Sequence, residues 1–395
     1  MRKTVGLVVV LCAVVAGGCS NGGSTSSESA STPGPAASAP PVGSSSASPQ
    51  PSPPADPCGA EPFLASLSQR EKLAQLLTVG VTGPDDAAQV SAEEHVGGIF
   101  IGGWTDQSLL TASEMARVKG ANTKVPLMVT IDEEGGRVSR IPELIGEEAS
   151  AREVAATYSA AEAQQRMNKR ATEMKKLGIT VDFAPDVDVS GQPANSVIGD
   201  RSFSDDPAKV TEYGRAYING LRDAGLGAVI KHFPGHGHGS GDSHTGAVST
   251  PPLDELKKND LLPFADLVSE PDVAVMVGHL DVPGLTDPNV PTSISPAAMQ
   301  LLRTGDYAAP PRPFDGVIFT DDLSGMAAIT AKYSIETAVE AALVAGADVA
   351  LWISTDSVKA VLDNLEQAVA AGRLPQKQVD ESVLRVARFK GVLSC

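Results

Sequence analysis

Four imidazoles, an ammonium and a carboxylate fall within the fourteen residues K-H-F-P-G-H-G-H-G-S-G-D-S-H at positions 231–244. That is more polarity than an apolar core accepts, and glycine at 235, 237, 239 and 241 lets the backbone bend where other residues resist. The stretch reads as a mobile loop after a buried strand, the place where an α/β enzyme keeps its chemistry. Within it Asp242 and His244 stand two residues apart. A carboxylate bonded to an imidazole fixes the tautomer and raises the basicity of the ring, which makes a proton shuttle near neutral pH. A surface turn with an incidental aspartate is the plainer alternative.

A second source of chemistry is Asp321-Asp322, followed by L-S-G-M. Successive side chains of an extended segment face opposite ways, so one carboxylate points into a site while the other suits capping of the next turn. The residues themselves do not choose between the two. Asp132, Arg140, Arg201, Lys231 and Asp321 form a mixture of charged donors and acceptors that grips hydroxyl groups in pairs, which fits a neutral polyhydroxyl ligand. A zinc site from His232, His236, His238, His244 and Asp242 is disfavoured, because Lys231 beside them opposes a cation and no H-E-x-x-H helix occurs. No metal or cofactor is expected. The chain also lacks a G-x-S-x-G elbow and a G-x-x-x-x-G-K-S/T phosphate loop.

These residues need a frame that gathers them. Short apolar runs at 76–80, 96–103, 127–131, 179–183, 226–230, 273–277, 317–319 and 349–353 read as buried strands. Helical patterns at 151–177, 207–223, 255–268, 334–345 and 377–389 lie between or after them. Solidly apolar strands alternating with helices predict a parallel sheet covered on both faces. Eight such units fit an α/β chain folded as a single (β/α)8 TIM-like barrel domain. The open doubly wound rival would need a G-x-G-x-x-G after its first strand, and none is there. Most charged and imidazole residues follow the strands, as a single catalytic rim requires.

The N-terminus carries Arg2, Lys3, an apolar run at 5–16 and then Gly17-Gly18-Cys19. This is the pattern of an export signal over residues 1–18, and its end resembles the lipobox of bacterial lipoproteins, with Cys19 as the lipidated residue. Residues 20–57 are almost entirely Ser, Pro, Ala and Gly and read as a disordered tether. The folded domain is expected at 58–395, held to the outer face of the cytoplasmic membrane in the cell envelope. Cys58 and Cys395 at its two ends suit a disulfide, provided barrel closure brings the ends together. A net charge of −17 with no basic track argues against nucleic acid as a partner. The barrel is expected to be a monomer.

Across residues 64–390 the chain resembles bacterial β-N-acetylglucosaminidases of glycoside hydrolase family 3, in their single-barrel form. The motifs are V-G-G-I-F at 96–100, I-D-E-E-G-G-R-V-S-R at 131–140, F-A-P-D-V-D-V at 183–189 and I-G-D-R-S-F at 198–203. They continue with K-H-F-P-G-H-G at 231–237, D-S-H at 242–244 and T-D-D-L-S-G-M at 320–326. The resemblance implies retaining exo-hydrolysis of terminal β-linked N-acetylglucosamine from cell-wall or muropeptide fragments. It makes Asp321 the nucleophile, His244 the acid/base and Asp242 its partner, with Asp132, Arg140, Arg201, Lys231 and His232 holding the terminal sugar. Two departures stand out: His238-Gly239-Ser240-Gly241 replaces an Asp-Thr start in the loop, and Glu133 stands where many relatives have Gln. The second adds a negative charge beside Asp132 and is expected to shift the pH dependence. A β-glucosidase or β-xylosidase of the same family, or a non-catalytic sugar-binding lipoprotein, are the rival readings.

Overall fold

Eight parallel strands close on themselves: β1 (Leu77–Gly80), β2 (Gly98–Ile101), β3 (Met128–Ile131), β4 (Val181–Asp182), β5 (Gly227–Phe233), β6 (Val273–Val277), β7 (Ile318–Asp322) and β8 (Val349–Trp352). Each pairs with its neighbours in sequence, and β1 returns to β8 through Leu77 opposite Ala350, which completes a (β/α)8 barrel. The computed structural model describes residues 58–121 and 124–394. The expected signal, the lipidated Cys19 and the tether lie outside the described residues. Cys58 is disulfide-bonded, and Cys395, its expected partner, lies outside the described residues. No helix among the described residues is long and apolar enough to cross a membrane.

The strands are short and buried along their length because the barrel fills one side and helices cover the other. Aromatic rings occupy the barrel interior beneath its C-terminal rim. Phe183 stacks on Phe100 at 5.8 Å between centroids and meets Phe319 edge-on at 5.4 Å. Outside, the helices Ala160–Lys176 and Pro207–Ala224 pack closely where Gly220 leaves room. A Cβ at that position would stand 2.7 Å from the Gln164 carbonyl.

Three expected elements take a different course. The helical pattern at 151–177 divides into Ala151–Thr157 and Ala160–Lys176, because Ser159 and Glu162 form a reciprocal capping box that starts a new helix. The pattern at 255–268 likewise divides into Leu253–Leu256 and Leu261–Leu267. Asp260, which separates them, accepts a hydrogen bond from His238 Nδ1 at 2.9 Å. Most consequential is β5, which continues through Lys231 and His232 to Phe233, with its register against β6 shifting between Ile230 and Phe233. Lys231, His232 and His236 are thus buried rather than parts of a mobile loop. The core accepts Lys231 and His232 because each side chain meets a carboxylate, whereas His236 is held through its backbone amide on Asp188 and its buried Nε2 has no partner among the described residues.

Candidate active site

A cavity of about 440 Å³ opens among the C-terminal ends of the strands. Asp132, Arg140, Arg201, Lys231, His232, Asp242, His244 and Asp321, all singled out by type and spacing, line it. Residues from almost the whole length of the barrel converge here because parallel strands all end on the same rim.

The floor is a lattice of alternating charges. β3 ends in the D-E-E-G-G turn, where Gly135 and Gly136 hold φ of 93° and 56°, a conformation that excludes most side chains. Alternation sends Asp132 and Glu134 toward the cavity and Glu133 away from it. Lys231 Nζ donates to Asp132 Oδ1 at 2.7 Å and stands 2.6 Å from Glu134 Oε1. Arg201 clasps both oxygens of Glu134 at 2.8 Å, and Arg140 donates to the other oxygen of Asp132 at 3.3 Å. Burial alone would neutralise these groups, but the mutual charges prevail: Glu134 is held well below the ordinary carboxylate range and Lys231 above its usual value. The sequence reading missed Glu134, since three consecutive polar positions look alike until strand alternation sorts them.

Glu133 turns away from the cavity. It is fully buried beneath the turn, paired with Arg170 and Ser139, while its second oxygen accepts the backbone amides of Arg140 at 2.7 Å and Ile141 at 3.2 Å. The added charge is therefore neutralised away from the cavity. Its oxygens pin the segment that carries Arg140.

Behind His232 lies a second buried group, from the F-A-P-D-V-D-V motif at 183–189, whose aspartates were given no role in the sequence reading. Asp188 Oδ2 accepts from His232 Nδ1 at 2.7 Å, and Asp188 Oδ1 accepts the His236 amide at 2.6 Å. Burial opposes charge on both partners, yet their attraction lowers Asp188 to about 2 and raises His232 above its usual value. Asp186 beside them is pushed up to about 8, by burial first and by the Asp188 charge second. Asp186, Asp188 and His232 bring their ligand atoms within 4.8 Å of one another, close enough to share one ion. Arg201, however, lies 3.4 Å from Asp186 Oδ2 and 3.3 Å from His232 Nε2, so a guanidinium already supplies the positive charge there. Of the other zinc candidates, His238 is drawn to Asp260 and His244 to Asp242.

At the end of β7 the two aspartates take different roles in the structure. Asp322 accepts from the amides of Ser324 and Gly325 and from the Ser324 hydroxyl, at 2.8, 2.9 and 2.9 Å. Asp321 accepts the Asp322 amide at 2.9 Å and lines the cavity. Burial pushes the Asp321 carboxyl up, but His232, His279, the Asp322 amide and Lys231 together hold it below its ordinary value. His279 is buried under this turn, bonded to Ser293 Oγ at 2.7 Å and to the Asp322 carbonyl at 2.8 Å. Its Nε2 must carry the proton, because a carbonyl only accepts.

Across the cavity, Asp242 Oδ1 accepts from His244 Nδ1 at 2.7 Å and from the His244 amide at 2.9 Å. Burial raises the Asp242 carboxyl, but these bonds outweigh it and lower the net value. With Nδ1 donating to an ionised carboxylate, Nε2 is left for the cavity. The His244 side chain is 61% exposed, far more than any residue of the floor. The flap begins from a fixed base, since Gly237 lies so close to Val189 that a Cβ would stand 2.0 Å from its carbonyl oxygen.

Residues 68–389 match the model of the glycosyl hydrolase family 3 N-terminal domain. The chain is 52% identical over 391 residues to the Beta-hexosaminidase LpqI of Mycobacterium tuberculosis, covering 98% of this chain and 97% of that one. A solved glycosyl hydrolase of the GH3 family from Mycobacterium smegmatis is 56% identical, with a TM-score of 0.82 over 84% of this chain and 99% of its own. A family 3 β-N-acetylglucosaminidase from Paenibacillus sp. superposes with a TM-score of 0.76 at 31% identity, over 82% of this chain and 63% of its own. The chain belongs to glycoside hydrolase family 3.

Proposed function

We propose that the chain is a retaining β-N-acetylhexosaminidase that releases terminal β-linked N-acetylglucosamine through a glycosyl-aspartate intermediate. The observation that carries this reading is that Asp321 and the Asp242–His244 pair line one cavity above a floor of paired charges. Asp321, ionised at neutral pH, attacks the anomeric carbon while protonated His244 gives its Nε2 proton to the departing oxygen. Neutral His244 then takes a proton from water as that water displaces Asp321, so two inversions give retention. Asp242 is a positioning residue that holds the ring and fixes its tautomer, with Nδ1 bonded to the carboxylate and Nε2 free for the cavity.

The floor suits the terminal sugar. Asp132 and Glu134 accept from hydroxyls, while Lys231, Arg140, Arg201 and His232 donate to them, in a setting where each charge already has a partner before the sugar arrives. The dyad on a flap replaces the second carboxylate that most retaining glycosidases place about 5–5.5 Å from the nucleophile. Muropeptide or other wall fragments are the proposed natural substrates, reached by a monomer tethered through lipidated Cys19 to the outer face of the cytoplasmic membrane.

Paired chromogenic substrates test the activity. Hydrolysis of the aryl β-N-acetylglucosaminide should exceed that of the matching β-glucoside. A preference for the glucoside would favour the β-glucosidase reading, and turnover of neither would favour a sugar-binding lipoprotein.

A further inference from the structure

Trp104 stands at the mouth of the cavity with 47% of its surface exposed, although tryptophan is the largest apolar side chain the protein could have hidden. Its position is fixed by a turn rather than by burial. The Thr105 amide donates to the Gly102 carbonyl at 3.1 Å, and the Thr105 hydroxyl accepts the Gly102 amide at 3.0 Å while donating to the Val81 carbonyl at 2.7 Å. The indole lies across Gly102, where an added Cβ would come within 2.4 Å of the ring. Phe100 supports it from the barrel at 5.9 Å between centroids, and Phe183 supports Phe100 in turn. An exposed ring is thus held in one place at the rim of a polar cavity.

We infer that Trp104 is a binding platform for the sugar on the leaving-group side of the cleaved bond. This rests on the exo-hydrolase reading above: the terminal residue enters the charged floor, so the rest of the glycan must leave through the mouth. Pyranose rings present C–H faces that pack on an aromatic surface, and a preordered ring captures them with little loss of side-chain freedom. The ligand class is a second hexosamine or a related ring, not the terminal sugar.

The test compares two substrates that share the terminal residue. N-acetylglucosaminyl fluoride has no ring beyond the cleaved bond, whereas the β-1,4-linked N-acetylglucosamine disaccharide has one. Trp104→Ala should lower kcat/KM for the disaccharide about tenfold further than for the fluoride, the scale of one aromatic contact. Trp104→Phe should recover most of that difference. Equal changes on both substrates, or none on either, would overturn the inference. A binding arm is independent of turnover. The other tryptophan, Trp352, is buried, so emission from exposed Trp104 should move to shorter wavelength when Asp321→Asn binds the disaccharide but not the monosaccharide. No shift with the disaccharide would also overturn it. Failure of wild type to cleave either substrate would count against the hydrolase reading, and the emission arm would still decide the role of Trp104.

Discussion

The Ser243 carbonyl accepts a hydrogen bond from the Ala328 amide at 3.2 Å, which ties the flap bearing His244 to the segment that follows Asp321. Ser243 is buried although both of its neighbours face the cavity mouth, and its hydroxyl lies 3.5 Å from Met326 Sδ. The proposed acid/base and nucleophile are therefore carried by two segments in direct contact, not by independent loops. Exposure of Asp242 and His244 coexists with a fixed anchor between them.

That arrangement predicts a leaving-group signature. His244→Ala should slow hydrolysis of a disaccharide about 10²–10⁴-fold and an activated aryl substrate much less, since a good leaving group needs little protonation. Asp242→Asn should give the same ordering with a smaller loss, because the ring remains but its orienting carboxylate does not. Steady-state kinetics on both substrates check this; equal losses on both would reduce His244 to a structural role.

A pH prediction follows from Asp321. Its carboxyl is held below the ordinary value, so the ionised form persists as pH falls through the usual carboxylate range. The acid limb of kcat/KM attributable to it should lie below about pH 4. His279 is one of the groups that oppose the effect of burial on Asp321. His279→Gln should therefore move that limb upward. The profile is to be read only where thermal melts show the fold intact. A downward move would contradict the electrostatic account.

Glu133 gives a stability prediction. Arg170 is buried against it, and removing one partner strands the other charge. Glu133→Ala should lower unfolding stability by about 3–5 kcal/mol. Glu133→Gln keeps an acceptor for the Arg140 and Ile141 amides and should lose less, about 1–3 kcal/mol. Urea midpoints of the two variants compare them, and a larger loss for Gln than for Ala would contradict the assignment.

Much of this was readable in the chain, for physical reasons that differ between elements. The eight strands announce themselves because parallel strands buried on both faces are apolar along most of their length. Lys231 and His232 misled, since a buried cation makes sense only beside Asp132 and Glu134, which sit about a hundred positions earlier and are invisible to local pattern. Glu134 was hidden within D-E-E by the same lack of context. The capping bonds of Asp322 did leave a local trace: an aspartate followed by L-S-G is placed to accept the amides two and three residues on, and Asp322 does so. Ser159-Ala-Ala-Glu162 was likewise a visible capping signal that a long helical pattern outweighed.

The central claim is that Asp321 forms the covalent bond to the sugar. Hydrolysis of an aryl β-N-acetylglucosaminide by wild type and Asp321→Asn, with sugar binding measured alongside, tests it most directly. Turnover should fall about 10⁴-fold or more while binding stays within about tenfold, as for loss of a nucleophile in an otherwise intact site. Near-wild-type turnover in Asp321→Asn would contradict it.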